Sequence, residues 1–314
     1  MIAAVDLGGT LLRTGWWQDE ALVTTRTIPT QSDQGTGGLI NQILSAIRSG
    51  PGVSEVVIAT AGTLNPLTGH VYCAANLPLD NADLRDVLQD ALGIRVVVIG
   101  DAVAATLSEF VVGVAKGVTH GAYVTLSTGI GLGMVIKGSL VSGLAHQAGE
   151  LGHVPVVLDE SAPRCSCGQR GCLELYSSGS GLAARYAELA QVCEPCDARQ
   201  VLLKAQEGRR EAREVCERGA RYLGSALVVL HRILSPNVIV LGGGLTRSTY
   251  YTTMATQWMD TIVAHSVPIP PRLVRVAAHE PSNALIGAGL LGAKNPLARR
   301  MLEGSGFDKQ LEGC

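Results

Sequence analysis

Aromatic side chains are scarce: Phe, Trp and Tyr together make up 4% of the 314 residues. That excludes a core built around large rings. The 38 glycines point instead to close backbone packing and many tight turns. No basic block stands out and the formal net charge is −2, so the electrostatic footprint of a nucleic-acid binder is missing. No run approaches the roughly 18 to 20 apolar residues of a membrane span. The opening "MIAAVDLGGT" has neither the positive n-region nor the long apolar h-region of a secretory signal, so the expected compartment is the cytoplasm. A G-x4-G-K-[ST] loop is absent. No Gly-rich turn fits the dinucleotide fingerprint either, since "GGGLT" lacks a third spaced glycine. What remains is 46% hydrophobic and 17% charged, over a length that holds two ordinary domains with proper cores.

Sulfur is concentrated. Of eight cysteines, three fall in "CSCGQRGCLE", and the full pattern is His153-x11-Cys165-x-Cys167-x4-Cys172. In a reducing cytosol a disulfide staple is disfavoured, and closely spaced Cys with a nearby His favours metal. Three thiolates and one imidazole match the closed tetrahedral shell of structural zinc, with no position left for a reactive water. Gly168 and Gly171 allow the turns that aim the sulfurs inward. The alternative is a loop with incidental thiols. Cys193 and Cys196 form a C-x-x-C without thioredoxin context and are read as incidental, and Cys73, Cys216 and Cys314 as isolated.

Two stretches share a design. "MIAAVDLGGTLLRTGWW" and "AYVTLSTGIGLGMVIKG" each run from an apolar strand through a small-residue turn into a second apolar run, which reads as an internal duplication. A third strand-turn is "NVIVLGGGLT" at 237–246. Helical periodicity predicts helices over 81–93, 102–115, 180–192, 197–207, 210–234 and 283–293, with a buried strand at 94–100. Strands alternating with helices imply an α/β protein of two lobes. The expected division is 1–115 as the first lobe, with a C-terminal helix near 295–314 packing back on it, and 116–294 as the second, with its cysteine loop at 150–176. The final "GSGFDKQLEGC" reads as a frayed tail.

Gly-rich turns after strands can present backbone N–H groups to phosphate oxygens. Gly8-Gly9-Thr10, Thr128-Gly129 with Gly131, and Gly242-Gly243-Gly244 are three such turns. Each alone is also an ordinary hairpin device. Asp6, at a strand end, can orient a Mg²⁺-bound water or simply cap the turn. Asp101 stands where a strand ends and a helix begins; it can serve as a general base toward a substrate hydroxyl, or as an N-cap. Glu150, His153 and Glu174 bracket the cysteines and offer acceptors suited to a polyhydroxylated ligand, against the alternative of solvated charges. Asn76 in "AANLP" offers a donor and acceptors, or is a plain turn residue.

Taken together, these residues resemble the ROK family of repressors and sugar kinases. The resemblance runs in order through "DLGGTLLR" (6–13), "NLP" (76–78), "GDAVAA" (100–105), "LSTGIGLG" (126–133), "GELGH" (149–153), "CSCGQRGCLE" (165–174) and "LSPNVIVLGGG" (234–244). It implies a two-lobed actin-like/hexokinase-like fold of duplicated ribonuclease H-like domains, with the active site in a cleft between lobes. It implies transfer of the γ-phosphate of ATP to a sugar hydroxyl, usually the 6-OH of a hexose or amino-hexose. Asp101 then matches the catalytic base; Asn76, Glu150, His153, Glu174 and Gly62 match substrate contacts. Asp6, Gly8, Gly9, Thr10, Arg13, Thr128, Gly129 and Gly131 match the phosphate and Mg²⁺ region, and Gly243 and Gly244 the adenosine side. His153, Cys165, Cys167 and Cys172 match a structural zinc site. The expected partners are a small sugar and a second copy in a homodimer, with no nucleic acid and no membrane.

The chain departs from the family pattern at four places. Gly100 stands where Asn usually precedes the catalytic Asp, and Val103 where a second Asn is frequent. Ala61 replaces a Pro before Gly62, and Leu132 replaces a glycine of the second phosphate turn. An acceptor shaped differently from plain glucose is expected: an amino- or N-acyl-hexose such as N-acetylglucosamine or N-acetylmannosamine, or a carbocyclic C7 cyclitol. The competing functions are a DNA-binding regulator, for which a first phosphate motif at residue 6 leaves no reading module ahead of it, and a catalytically weak sugar sensor.

Overall fold

Leu7, Thr60 and Gly100 are cross-strand partners in one sheet, and each is the last residue of its strand. The computed structural model that shows this describes residues 1–143, 148–192, 196–263 and 273–312. Cys193 and Cys314 lie outside them.

The chain begins with β1 (Ile2–Leu7), β2 (Leu11–Gln18), β3 (Ala21–Pro29), α1 (Gly35–Arg48), β4 (Glu55–Thr60), a short β5 (Thr63–Leu64), β6 (Val71–Cys73), α2 (Leu84–Leu92), β7 (Arg95–Gly100) and α3 (Asp101–Val111). There follow β8 (Gly121–Leu126), β9 (Ile130–Ile136), β10 (Ser139–Leu140), α4 (Glu174–Ser177), α5 (Gly179–Ala190), α6 (Ala198–Gln206), α7 (Arg210–Leu234), β11 (Val238–Gly242), α8 (Thr249–Val263) and β12 (Val274–Val276). The last elements are α9 (Asn283–Gly292), α10 (Pro296–Leu302) and α11 (Phe307–Glu312). They form two compact units: Met1–Thr119 with Gly133–Ala148 and Pro281–Cys314, and His120–Leu132 with Gly149–Glu280.

The two five-stranded sheets run β3-β2-β1-β4-β7 and β10-β9-β8-β11-β12. Within each, the strands lie in the same chain order: third, second, first, fourth, fifth. That repeated topology is the duplication read from the two Gly-turned motifs. β1, β4 and β7 are parallel, as are β8, β11 and β12. β4 is buried at every residue, and so is β11. Such continuous burial is what β-branched runs like "EVVIAT" satisfy in a parallel sheet. In the first unit α9 packs on β1 and β4 and against α3, while α2 packs on β7. In the second, α7 buries Val215, Gly219, Leu223, Ala226 and Leu230 on one stripe, against α4, α5, α6 and α8. With few rings available, packing proceeds by backbone approach: a Cβ at Gly287 of α9 would collide with the Ala104 carbonyl of α3. Among the described residues no helix is long and apolar enough to cross a membrane.

The tail expectation is corrected. Residues 307–312 are helical, and Gln310 is 7% exposed. β7 is the edge strand of its sheet, and its outward backbone groups need partners. The Gln310 amide supplies them: Oε1 accepts from Val98 N (3.1 Å) and Nε2 donates to Val98 O (2.9 Å) and Pro66 O (2.6 Å). A side chain here substitutes for a neighbouring strand, so the terminus is held by long-range hydrogen bonds that no local periodicity signals. Replacing Gln310 by Leu leaves the Val98 N–H and C=O buried without these partners. We expect a loss of about 1–3 kcal/mol in stability, read as a lower urea midpoint at unchanged m-value; an unchanged midpoint refutes this role for α11.

Candidate active site

In the first unit the candidate residues gather at the carboxyl edge of the parallel strands. The turn after β1 begins at Gly8, whose N–H donates to Leu11 O (3.1 Å) and whose carbonyl accepts from Thr30 Oγ1 (2.7 Å). Gly9 lies against Asn76: a Cβ there would stand 2.5 Å from the Asn76 Cβ. Asp6 and Arg13 are register partners on β1 and β2, and the Arg13 guanidinium donates to the largely buried Asp6 carboxylate (2.8 Å). Gly62 adopts φ +112°, and an added Cβ would come within 2.6 Å of the Cys73 carbonyl, so the turn after β4 tolerates no side chain.

Asp101 begins α3 one residue beyond β7. The N-cap reading is corrected: the cap position belongs to Gly100, in extended conformation (φ −68°, ψ 144°), and its helix start has no side-chain cap. Asp101 is already helical, and its Oδ1 accepts from Ala102 N (2.7 Å). A carboxylate in the first turn is favoured in its ionised form by the helix dipole. Gly100 is not required by its backbone. A Cβ there would meet only the Val103 side chain, at 3.6 Å, an ordinary contact.

The second unit repeats the arrangement. The turn after β8 closes through Ser127 N donating to Gly129 O (3.0 Å). It is held by the start of α5: Gly179 N donates to Ser127 O (2.7 Å), and Ser180 Oγ to Thr128 O (2.7 Å). The Glu174 carboxylate accepts from Ile130 N (3.0 Å), and a Cβ at Gly129 would overlap it. Glu174 is thus a built-in part of the turn rather than a solvated charge. Leu132 is buried. The "GELGH" glycines have a packing role: Gly149, at φ +108°, faces the Leu132 carbonyl, and Gly152 the Ile130 carbonyl. Glu150 and His153 are thereby carried along the start of β9. Glu150 keeps 44% of its side chain accessible, yet desolvation by surrounding protein pushes its carboxyl above the ordinary range; His153 works against the shift and Glu174 adds to it.

His153, Cys165, Cys167 and Cys172 present four ligand atoms within 4.8 Å of one another. Cys167 Sγ and Cys172 Sγ are 3.6 Å apart, and Cys165 Sγ and His153 Nδ1 3.4 Å. A tetrahedron with ~2.3 Å metal–sulfur bonds has edges of roughly 3.8 Å, so the donor set fits a four-coordinate metal. Gly168 and Gly171 take φ +89° and +70°, as the inward-aimed turns require. Burial, and then the neighbouring Cys167 and Cys165, hold the Cys172 thiol well above its ordinary value, a cluster of thiols that a cation would relieve. His153 Nε2 faces Glu150 Oε2 at 3.7 Å.

The third glycine turn follows β11. Gly243 adopts φ +90° against the Leu126 backbone. Its N–H donates to Glu280 Oε1 (2.6 Å), and Thr246 Oγ1 to its carbonyl (2.8 Å). A Cβ at Gly244 would meet nothing within 4 Å. Glu280 and Ser180 escaped the sequence reading because they join these turns only through tertiary contacts.

The chain is 32% identical over 262 residues to a glucokinase of Streptomyces coelicolor, covering 77% of this chain and 81% of that one. It is 30% identical over 294 residues to an N-acetylmannosamine kinase of Escherichia coli, covering 92% and 97%. The structure superposes with TM-score 0.81 on a ROK family glucokinase from Streptomyces griseus in complex with glucose and AMPPNP, at 25% identity over 94% of this chain and 99% of that one. The ROK family model matches residues 2–295, and the chain belongs to that family, as an ATP-dependent sugar kinase.

Proposed function

We propose that the chain transfers the γ-phosphoryl group of ATP to the primary 6-hydroxyl of a hexose or of an amino- or N-acyl-hexose. The observation that supports this is the placement, in both units, of the candidate polar residues and glycine turns at the carboxyl edge of the parallel strands, where α/β folds bind ligands. In this reading Asp101 accepts the hydroxyl proton as the new O–P bond forms and the bond to the departing ADP breaks. Asn76, Gly62, Glu150, His153 and Glu174 orient the acceptor; Glu174 can do so with one oxygen because Ile130 N occupies the other. In the turns Gly8–Thr10 and Thr128–Gly131, backbone N–H groups other than those of Gly8 and Ile130, which Leu11 O and Glu174 already engage, donate to phosphate oxygens, and Gly243–Gly244 meets the nucleoside. Magnesium, when bound with the nucleotide, supplies charge neutralisation in the region of Asp6 and Arg13. His153, Cys165, Cys167 and Cys172 hold a structural zinc ion that fixes the loop carrying Glu150 and Glu174.

Gly100 favours a second reading of the acceptor. Its Cα carries no amide toward the substrate, although the backbone would admit one. A hydroxyl that an Asn would otherwise bind loses about 1–3 kcal/mol. An acceptor lacking or masking that hydroxyl, an N-acyl-hexose or a C7 cyclitol, is disfavoured less. We place the enzyme in the cytoplasm, where thiols stay reduced for metal. We further propose a homodimer; Val229 and Ile233, one turn apart on α7, are exposed apolar side chains suited to such a surface.

Three outcomes test this. Asp101→Asn should lower kcat by about 10²–10⁴-fold in a product-mass assay over hexoses, N-acyl-hexoses and cyclitols, while sugar binding by calorimetry persists; full turnover in the variant would remove Asp101 as the base. Gly100→Asn should fold normally and shift kcat/KM toward glucose relative to N-acyl acceptors, and an unchanged ratio would dissociate Gly100 from specificity. Purified protein should carry about one zinc per chain, lost in Cys172→Ser and released on acidification as the ligands protonate; protein free of zinc after purification in metal-containing buffer would exclude the site.

A further inference from the structure

Each glycine of "GGG" at 242–244 has a different neighbour. A Cβ at Gly242 would overlap the Tyr123 hydroxyl and stand 2.7 Å from Glu280 Oε1. Gly243 is pressed against the backbone of Leu126 in a left-handed conformation. Gly244 alone faces open space. Behind the turn, one carboxylate oxygen, Glu280 Oε1, accepts from Gly243 N at 2.6 Å and from Tyr123 Oη at 3.0 Å. Tyr123 is 1% exposed in β8, and Glu280 follows β12, so the two reach the turn from the strands flanking β11.

We infer that Glu280, braced by Tyr123, is a positioning residue for the nucleotide. It acts through Gly243, fixing the one conformation in which the open side of Gly244 meets the nucleoside of ATP. This rests on the assignment of Gly243–Gly244 to the nucleotide. The physical reason is that a left-handed glycine is adaptable: without a partner for its N–H, the turn samples other conformations and nucleotide binding must reorder it. A short hydrogen bond to a carboxylate oxygen is among the stronger ones available to a backbone N–H. The geometry also explains why the strand end is glycine at 242: any side chain there would displace the carboxylate and the phenol together.

The test is steady-state kinetics with both substrates, together with AMPPNP binding by calorimetry. Glu280→Leu should raise the ATP KM and weaken AMPPNP about tenfold or more, with the sugar KM and the saturated kcat little changed. Glu280→Gln, which keeps the accepting oxygen, should restore most of the affinity, and Tyr123→Phe should give an intermediate loss. General destabilisation would instead lower the active fraction and kcat without this split or this rescue. Gly244→Val separates the inference from the reading beneath it. If Gly244→Val weakens AMPPNP and Glu280→Leu does not, the positioning role is overturned while the nucleotide assignment stands. If neither variant affects AMPPNP, both are overturned.

Discussion

The hydrogen bond from Ile130 N to the Glu174 carboxylate is the constraint that ties the second unit's cysteine loop to its glycine turn. Two residues before Glu174 stands Cys172, one of the four clustered ligand atoms, and on the other side of the bond is the turn Ser127–Gly129. A loop shaped by thiols and a turn shaped by glycine are therefore joined by a single side chain. Gly129 must lack a side chain because the carboxylate occupies the place of its Cβ. Gly149 and Gly152 admit the preceding segment against the carbonyls of Leu132 and Ile130 for the same reason. The high glycine and low aromatic content are thus one property: these turns pack by bringing backbone to backbone.

Polar side chains carry the rest of the arrangement. Gln310 serves an edge strand, Glu280 serves a glycine turn, and Arg13 serves Asp6. In each case a side chain satisfies a backbone group or charge that has left water, which would be costly unpaired. The two repeats differ in how they do so. The turn after β1 is held by Thr30, the residue following β3 of its own sheet, whereas the turn after β8 is held by the start of α5. The duplicated topology is common, but the stabilising chemistry is not.

The departures from the family pattern acquire different physical meanings in three dimensions. Leu132 is buried, so it acts as a packing residue. Gly100 takes an ordinary extended conformation with room for a side chain, so the backbone there does not require glycine. Asp101 follows as the first helical residue, a place that favours its charge whatever its chemical use.

The sequence by itself determined the strand–turn–strand repeats, six of the helices and the cysteine set, because each is written in local periodicity or short spacing. The helices expected over 180–192, 197–207 and 210–234 occur at Gly179–Ala190, Ala198–Gln206 and Arg210–Leu234. Only the tertiary structure decided which side chains secure the turns, that Gly100 rather than Asp101 holds the cap position, and that Gln310 ties the helix Phe307–Glu312 to the edge of β7. The reason is distance along the chain. Gly243 and Glu280 are 37 residues apart, Ile130 and Glu174 are 44, and Val98 and Gln310 are 212. A side chain bound to a backbone group across such a separation leaves no period and no spacing to read; it exists only once the chain has folded.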